Sequence, residues 1–134
     1  MSNAIRSILL LLLIAVALPA ADLAGIWAGQ APGRQGEMED VAFSFNVTGQ
    51  QISGKMFGDE FDLPIEGATV SGDHVRFIVV TTNYYSGTKN KFLYTGVLMG
   101  NEMELTRERI LSPGEKAPEN GGLKRTFKVK KLTS

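Results

Sequence analysis

The sequence predicts an all-β protein, an antiparallel up-and-down barrel of about eight to nine strands that follows an N-terminal signal peptide. Residues 41–48, with the sequence VAFSFNVT, alternate apolar and polar side chains, which is the period of a half-buried strand. No segment shows a helical period of comparable length. Four turns place glycine before Gln, Asp or Asn, an order that suits two-residue hairpin loops: Gly49-Gln50, Gly58-Asp59, Gly72-Asp73 and Gly100-Asn101. Hairpins with one apolar face must hide that face, and closure into a barrel also removes exposed edges.

Composition indicates one globular domain. The chain has 134 residues, of which 43% are hydrophobic and 21% charged, as is ordinary for a protein with a single core. Basic and acidic residues balance at 14 each, so no overall field would attract nucleic acid or an anionic membrane. We therefore expect one barrel domain over residues 22–134 and no nucleic-acid partner.

The N-terminus has the pattern of a signal peptide over residues 1–21. Arg6 provides the positive region, residues 8–18 form an apolar run, and Ala20 and Ala21 offer two cleavage positions. The run is shorter than the roughly 20 residues that cross a bilayer, so an uncleaved anchor is the weaker alternative. Because the chain has no cysteine, a cysteine-linked lipid anchor, disulfides and thiolate metal sites are excluded. We expect a secreted or periplasmic protein of bacterial type, with no stable membrane span after cleavage.

The turns also predict which side chains face each other, because loop length fixes the register of a hairpin. A loop at Gly49-Gln50 would place Phe45 opposite Gly54 on the inward face. The other turns predict further inward pairs: Phe43 with Met56, Met56 with Phe61, Val70 with Val75, Ala68 with Phe77, and Leu98 with Met103. A loop of roughly four residues at 85–88 would put Phe77 opposite Gly96.

The last hairpin is predicted by charge as well as by apolar pairing. A polar loop at 112–122 would join residues 102–109 to residues 123–131 and set Leu105 opposite Phe127. On the outer face the same alignment pairs three glutamates with lysines: Glu102 with Lys130, Glu104 with Lys128, and Glu108 with Lys124. Each pair contributes roughly 0.2 to 1 kcal/mol, so these charges select the register more than they stabilise the fold.

The first predicted strand carries a motif that resembles a known one. Gly25-Ile26-Trp27 matches the G-x-W signature of the lipocalin and avidin-like superfamily, the calycins. Over residues 22–131 the chain resembles small secreted bacterial proteins with a lipocalin-like barrel. The resemblance implies that Trp27 packs at the closed end of the barrel, crossed by an arginine near the last strand, either Arg125 or Arg107. The chain lacks the cysteine pair of vertebrate lipocalins and the biotin-binding residues of avidins, so no named ligand is implied.

Trp27, the only tryptophan, has two interpretations: a structural plug of the core, or the floor of a ligand pocket. A buried indole contributes a large hydrophobic term, and a cation over its face adds roughly 0.5 to 2 kcal/mol. We favour the plug.

Arg107 and Arg125 are predicted to lie opposite each other on the inward face, where two unpaired cations would repel. One arginine could stack on Trp27 while the other reaches solvent or bonds to Tyr94. The alternative is that the pair receives a carboxylate or other anion, from a ligand or from an acidic loop residue.

The candidate ligand-binding residues are inward aromatic side chains, the two arginines and two residues of the 31–40 loop. By the resemblance, that loop lies over the barrel mouth. The set is Trp27, Arg34, Met38, Phe43, Phe61, Phe77, Phe92, Tyr94, Arg107 and Arg125.

Catalytic and metal-binding patterns are weak. His74 is the only histidine, sits at a hairpin turn and lacks a recognisable nucleophile partner. Six acidic residues could offer oxygen ligands to calcium, but their spacing matches no dedicated loop: Glu37, Glu39, Asp40, Asp59, Glu60 and Asp62. We expect no catalytic residue, no metal and no cofactor, and therefore no enzyme.

A second class of function is indicated by apolar residues on the outer parity of two strands and in the loop between them. A contiguous exposed apolar patch usually marks a partner surface. Its members are Ile78, Val80, Tyr84, Tyr85, Leu93, Val97 and Met99.

Two functions follow from these patterns. The first is a secreted, non-enzymatic barrel that binds a small apolar or amphipathic ligand in a void lined by the inward aromatic residues. The alternative is an extracellular structural or protein-interaction module with a filled core, acting by self-assembly or by inhibition of a secreted hydrolase. The two differ in whether the interior is empty and whether the outer patch is covered.

Overall fold

The computed structural model describes residues 22–33, 36–116 and 124–132, which form nine strands. The signal-peptide prediction falls on residues 1–21, outside the described residues. The strands are β1 (Gly25–Pro32), β2 (Met38–Thr48), β3 (Gln51–Phe57), β4 (Asp62–Pro64), β5 (Glu66–Ser71), β6 (His74–Thr82), β7 (Lys89–Met99), β8 (Glu102–Ile110) and β9 (Lys124–Lys131).

The strands form one antiparallel sheet in the order β4-β3-β2-β1-β9-β8-β7-β6-β5. Apart from the contact of β1 with β9, hydrogen-bonded neighbours follow one another in sequence, as in an up-and-down barrel. The sheet curls until its ends meet: β3 packs beside β5, and the Ile65 amide donates to the Gly54 carbonyl at 3.0 Å. The prediction of an all-β, nearly closed antiparallel barrel is confirmed. The described part of the chain contains no helix long and apolar enough to cross a membrane.

Most predicted pairings on the inward face are confirmed. Phe45 lies opposite Gly54 and Leu105 lies opposite Phe127. Three further predicted pairs are also found: Phe43 with Met56, Val70 with Val75, and Leu98 with Met103. Alternation along each strand therefore sends the predicted set of apolar side chains into one interior.

Two predicted registers are wrong by two residues because the loops are longer than expected. Met56 faces Leu63 rather than Phe61, since the turn that begins at Gly58 closes through a bond from the Gly58 amide to the Phe61 carbonyl at 2.9 Å. The residue opposite Gly96 is Val75 rather than Phe77, because residues 83–88 all belong to the loop. A shift of two preserves side-chain parity, so the same faces remain inward.

A bulge in β5 changes the pairing predicted for Ala68. Glu66 pairs with Ile78 and Thr69 with Arg76, and the register shifts between them. Gly67 takes a φ of +59° at this point, a conformation that glycine adopts at little cost. Ala68 therefore falls in the irregular segment and not opposite Phe77, although it still packs against the core.

The core fills the end of the barrel that contains Trp27. Trp27 and Leu23 are fully buried, and the indole Nε1 donates to the Leu23 carbonyl at 2.9 Å. Above them the Phe43 ring meets Phe77 edge-on at 5.7 Å between centroids and stacks near Phe127 at 6.4 Å. This end of the barrel is solid, and the opposite end is open.

On the outer face of the last hairpin, the predicted charge pairs lie side by side. Glu104 faces Lys128 across the ladder. The Lys130 ammonium is 3.9 Å from the Glu102 carboxylate, and the Lys124 ammonium is 4.0 Å from that of Glu108. These exposed contacts confirm the predicted register of β8 with β9.

Candidate functional site

A cavity of about 800 Å³ occupies the open end of the barrel. Its rim is formed where β1 and β6 end and where β2 and β7 begin, because antiparallel strands bring those ends together. Each of these four strands contributes to the lining: β1 through Pro32, β2 through Glu39, β6 through Thr81 and β7 through Asn90. The volume lies within the range of roughly 300 to 1,000 Å³ that is typical of small-molecule pockets.

The wall of the cavity is apolar and rich in aromatic rings. It contains Val41, Met56, Phe61, Leu63, Phe92, Tyr94 and Phe127. Phe77 lies beneath the cavity and stacks on Tyr94 at 5.0 Å between centroids with an interplanar angle of 4°. Apolar walls above a packed aromatic floor can desolvate the hydrocarbon part of a ligand without moving the core.

Tyr94 and Arg107 form the polar part of the wall. Only 3% of Tyr94 is exposed, and its hydroxyl lies 3.3 Å from Met56 Sδ. Burial raises the pKa of the Tyr94 hydroxyl above its usual value of 10.0, while the charge of Arg107 and a hydrogen bond from it act in the opposite direction. Tyr94 is therefore a neutral group at physiological pH.

Arg107 is held by β1 and by an aromatic ring. Its Nη2 donates to the Pro32 carbonyl at 3.0 Å, and its Cζ lies 5.9 Å from the centroid of Phe92. These contacts connect β8 with the end of β1 across the barrel mouth. The predicted proximity of Arg107 to Tyr94 is confirmed by their pairing across β7 and β8.

The rim on the β2 side is acidic. Glu37 and Glu39 line the cavity and are exposed, whereas Asp40, of opposite parity on β2, borders the cavity but faces the outer side beside Gln30. Asp40 accepts a hydrogen bond from Gln30 Nε2 at 3.3 Å, and the Gly33 amide donates to the Glu37 carbonyl at 2.6 Å. The described residues contain no group of three or more histidine, cysteine or acidic side chains arranged to hold a metal ion.

Four of the ten candidate ligand residues line the cavity, and five of the others do not. Phe61, Phe92, Tyr94 and Arg107 line the cavity. Phe43 and Phe77 are buried beneath it, and Met38, at the start of β2, is 53% exposed and does not belong to the lining. Arg34 lies outside the described residues. Whether any of these side chains contacts a ligand stays a prediction.

The prediction that an arginine crosses Trp27 is wrong. The cation over the indole is Lys131, whose Nζ lies 5.6 Å from the ring centroid, because the β1–β9 register places Lys131 opposite Trp27. Arg107 bonds to Pro32 at the other end of β1. Arg125 lies opposite Arg107 as predicted, but it is exposed and donates to the Lys124 carbonyl at 3.0 Å.

The sequence interpretation missed part of the lining. The sequence predicts inward positions for Phe127, Met56 and Leu63 but does not place them in the pocket, and it offers the acidic residues only as weak calcium ligands and not as a rim. One signal for the rim was present: Glu37 and Glu39 share the odd-numbered parity of Val41 and Phe43, so the alternation of β2, continued backwards, carries them to the mouth.

His74 stands away from the cavity. It begins β6, whereas Thr82 at the rim ends that strand, so they are about 26 Å apart along the strand. His74 is exposed, and its Nδ1 lies 2.7 Å from Asp73 Oδ1.

The outer residues proposed as an interaction patch do not form a continuous apolar surface. Ile78 pairs with Leu93, but Lys91 lies opposite Val80 and interrupts the apolar row. The most exposed members are in the β6–β7 loop, where Tyr84 is 92% exposed and Tyr85 95%. Their rings meet at right angles, 5.4 Å apart between centroids.

Comparisons with protein-family models, with curated proteins and with solved structures give no match to this chain. The interpretation of the cavity therefore depends on its own geometry.

Proposed function

We propose that the protein is a secreted, non-enzymatic barrel of calycin type that holds a small apolar or amphipathic molecule in the open end. The observation that carries the proposal is the cavity of about 800 Å³, walled by Phe61, Phe92 and Phe127. Burial of apolar area contributes roughly 25 cal/mol per Å², so such a wall favours a hydrocarbon ligand over water. The position of Trp27 at the closed end supports the calycin assignment.

A neutral fluorescent probe tests the proposal. N-phenyl-1-naphthylamine should bind with enhanced emission at a stoichiometry of about one per chain, since one cavity of this size accommodates one small ligand. Thr81→Trp, which adds an indole at the rim, should weaken probe binding. Thr95→Trp is the matched control, because Thr95 is exposed on the outer face of β7 and does not line the cavity.

The proposal fails if the probe does not bind, or if Thr95→Trp weakens binding as much as Thr81→Trp. Native mass spectrometry of the protein from its own secretion medium adds an independent measurement, because it reports a retained ligand and the oligomeric state together. A monomer that retains no ligand in the mass spectrum and does not bind the probe would contradict the proposal in both measurements.

The second candidate is an extracellular interaction module, and the exposed pair Tyr84 and Tyr85 favours it. Tyrosine supplies contact area at low entropic cost and is enriched in protein interfaces. Sedimentation velocity over a range of concentrations tests self-association. Joint replacement of both tyrosines by serine should abolish any dimer and leave probe binding unchanged.

A further inference from the structure

One hydroxyl group interrupts the apolar interior of the cavity. Tyr94 on β7 and Met56 on β3 both line the cavity, and the Tyr94 hydroxyl lies 3.3 Å from Met56 Sδ. In the sheet, β2, β1, β9 and β8 lie between β3 and β7, so this contact crosses the interior of the barrel. The hydroxyl is therefore placed inside the barrel, where the body of a ligand would lie, and not at the exposed rim.

The Tyr94 ring is held in place by its neighbours. It stacks on Phe77 at 5.0 Å between centroids with an interplanar angle of 4°, and it meets Phe43 edge-on at 5.8 Å with an angle of 67°. Only 3% of Tyr94 is exposed. A polar group that packing has already fixed loses little conformational entropy when it binds a ligand.

The Tyr94 hydroxyl has only a weak acceptor for its own proton. Its oxygen accepts a hydrogen bond from Arg107, which faces Tyr94 across β7 and β8. Its proton is directed to Met56 Sδ, and a thioether sulfur is a weak acceptor. Within the described part of the chain, no oxygen or nitrogen accepts a hydrogen bond from this hydroxyl. A buried donor of this kind is stabilised when an oxygen replaces the sulfur.

The remainder of the deep wall offers no competing polar group among the described residues. Val41, Leu63 and Phe127 are part of this wall and are apolar. Other polar residues of the lining, such as Thr81 and Asn90, lie near the ends of strands at the mouth. A ligand that packs against the apolar wall therefore meets one polar position inside the barrel, formed by Tyr94 with Arg107 beside it.

We propose that the Tyr94 hydroxyl donates a hydrogen bond to a carbonyl oxygen of the ligand, so that the cavity selects apolar molecules with a carbonyl group over hydrocarbons of the same shape. This inference rests on the proposed ligand-binding function and adds the chemical class of the ligand. The ligand oxygen takes the place of Met56 Sδ as acceptor, and the flexible methionine side chain can move aside. The carbonyl belongs to a neutral ketone or ester, or to a carboxylate whose charge Arg107 would offset.

Two ligands of matched shape test the proposal. Acetophenone and α-methylstyrene differ only in a C=O group that replaces C=CH₂, and each competes with bound N-phenyl-1-naphthylamine. Tyr94→Phe should raise the acetophenone concentration needed for displacement about fivefold, the usual effect of one lost hydrogen bond, and leave displacement by α-methylstyrene unchanged. Tyr84→Phe is the matched control, because it removes the same hydroxyl from an exposed ring that does not line the cavity.

Infrared spectroscopy observes the hydrogen bond directly. The carbonyl stretch of bound acetophenone, isotopically labelled at the carbonyl carbon, should lie at a lower frequency in the native protein than in Tyr94→Phe. Benzoate distinguishes the two sources of the carbonyl: binding tighter than that of acetophenone identifies a carboxylate, and weaker binding identifies a neutral carbonyl. In both cases Tyr94→Phe should weaken the preferred ligand. Circular dichroism during heating checks that each variant is folded.

The outcomes separate this inference from the function on which it rests. If Tyr94→Phe weakens α-methylstyrene as much as acetophenone, or leaves both unchanged, the hydroxyl does not select a carbonyl and the inference is overturned, while a ligand cavity remains. An identical carbonyl frequency in the native protein and Tyr94→Phe would overturn it as well. Failure of N-phenyl-1-naphthylamine to bind would overturn the proposed function itself.

Discussion

Lys131 Nζ lies 5.6 Å from the centroid of the Trp27 ring, and the same ammonium donates to the Asp22 carbonyl at 3.0 Å. Trp27 Nε1 donates in turn to the Leu23 carbonyl, and the Leu132 amide donates to the Ile26 carbonyl at 2.8 Å. These contacts hold the first and last strands and the segment before β1 around one indole. Trp27 is therefore placed as a plug that closes the barrel, remote from the cavity.

Replacement of Trp27 should cost stability without changing ligand binding. Trp27→Ala should lower the free energy of unfolding by about 3 to 5 kcal/mol, because it empties a fully buried site. Lys131→Met should cost only about 0.5 to 1 kcal/mol, the usual contribution of a partly exposed cation over a ring. Urea unfolding followed by circular dichroism measures both. If the milder variant Trp27→Phe binds the neutral probe more weakly than the native protein, the plug interpretation is wrong.

The faces of the strands could be predicted from the sequence, whereas the lengths of the loops could not. Gly58-Asp59 has the residues of a two-residue hairpin turn, yet the chain closes the turn at Phe61. No residue of the turn itself distinguishes a two-residue loop from the longer loop that forms, because the packing of β4 against β3 decides the loop length. The two register errors do not change which side chains face inward, because each is a shift of two residues, which is one full period of a strand.

The partner of Trp27 could not be predicted for a different reason. No turn joins β1 to β9, so the register at this closure is set only by how the whole sheet curls, and Lys131 reaches the indole as a result. The position of the cavity is likewise collective. The predicted inward face includes Phe43, Phe77, Phe92 and Tyr94. Only three-dimensional packing shows that Phe43 and Phe77 fill the barrel below the cavity, while Phe92 and Tyr94 line it.

Gly54 should tolerate no side chain. It lies opposite Phe45, and a Cβ at this position would overlap the Ser44 carbonyl and approach Phe45 Cα at 3.2 Å. Because these are backbone atoms of the paired strand, Gly54→Ala should destabilise the protein by about 1 to 3 kcal/mol or more. Ser53→Ala on the exposed face is the control and should change stability by less than about 0.5 kcal/mol. Equal melting temperatures for the two variants would contradict the close approach of β2 and β3.

Tyr94 should make stability fall at alkaline pH. Its pKa is raised in the folded protein by burial, so the unfolded chain releases the proton first. The contribution is fully present below the unfolded pKa, near 10.0, and is lost as pH rises through the higher folded value. Tyr94→Phe should therefore lose less stability than the native protein when pH is raised from about 9 through the folded pKa. Parallel pH dependences of the unfolding free energy would show that the Tyr94 hydroxyl is not buried as described.

The Tyr84-Tyr85 loop should depend on Asn83 for its order. Asn83 Oδ1 accepts hydrogen bonds from the amides of Tyr85 at 2.9 Å and Ser86 at 3.1 Å. Asn83→Ala removes both bonds, each worth about 1 kcal/mol, so hydrogen exchange at these two amides should accelerate about fivefold while the strands keep their protection. Thr88→Val is the matched control, because it removes only the 2.9 Å side-chain bond from Ser86.

Order in this loop bears directly on the interaction-module alternative, because a tyrosine pair that is already fixed loses little entropy when a partner binds. If the loop docks on a partner or a second copy, Asn83→Ala should weaken that association mainly through faster dissociation, since the contact area of Tyr84 and Tyr85 is retained. Surface-bound protein monitored in real time would show the change in dissociation rate. Unaltered exchange at Tyr85 and Ser86 would instead mean that the two remaining backbone bonds, from the Asn83 amide to Thr88 and from the Gly87 amide to Asn83, hold the loop without the side chain.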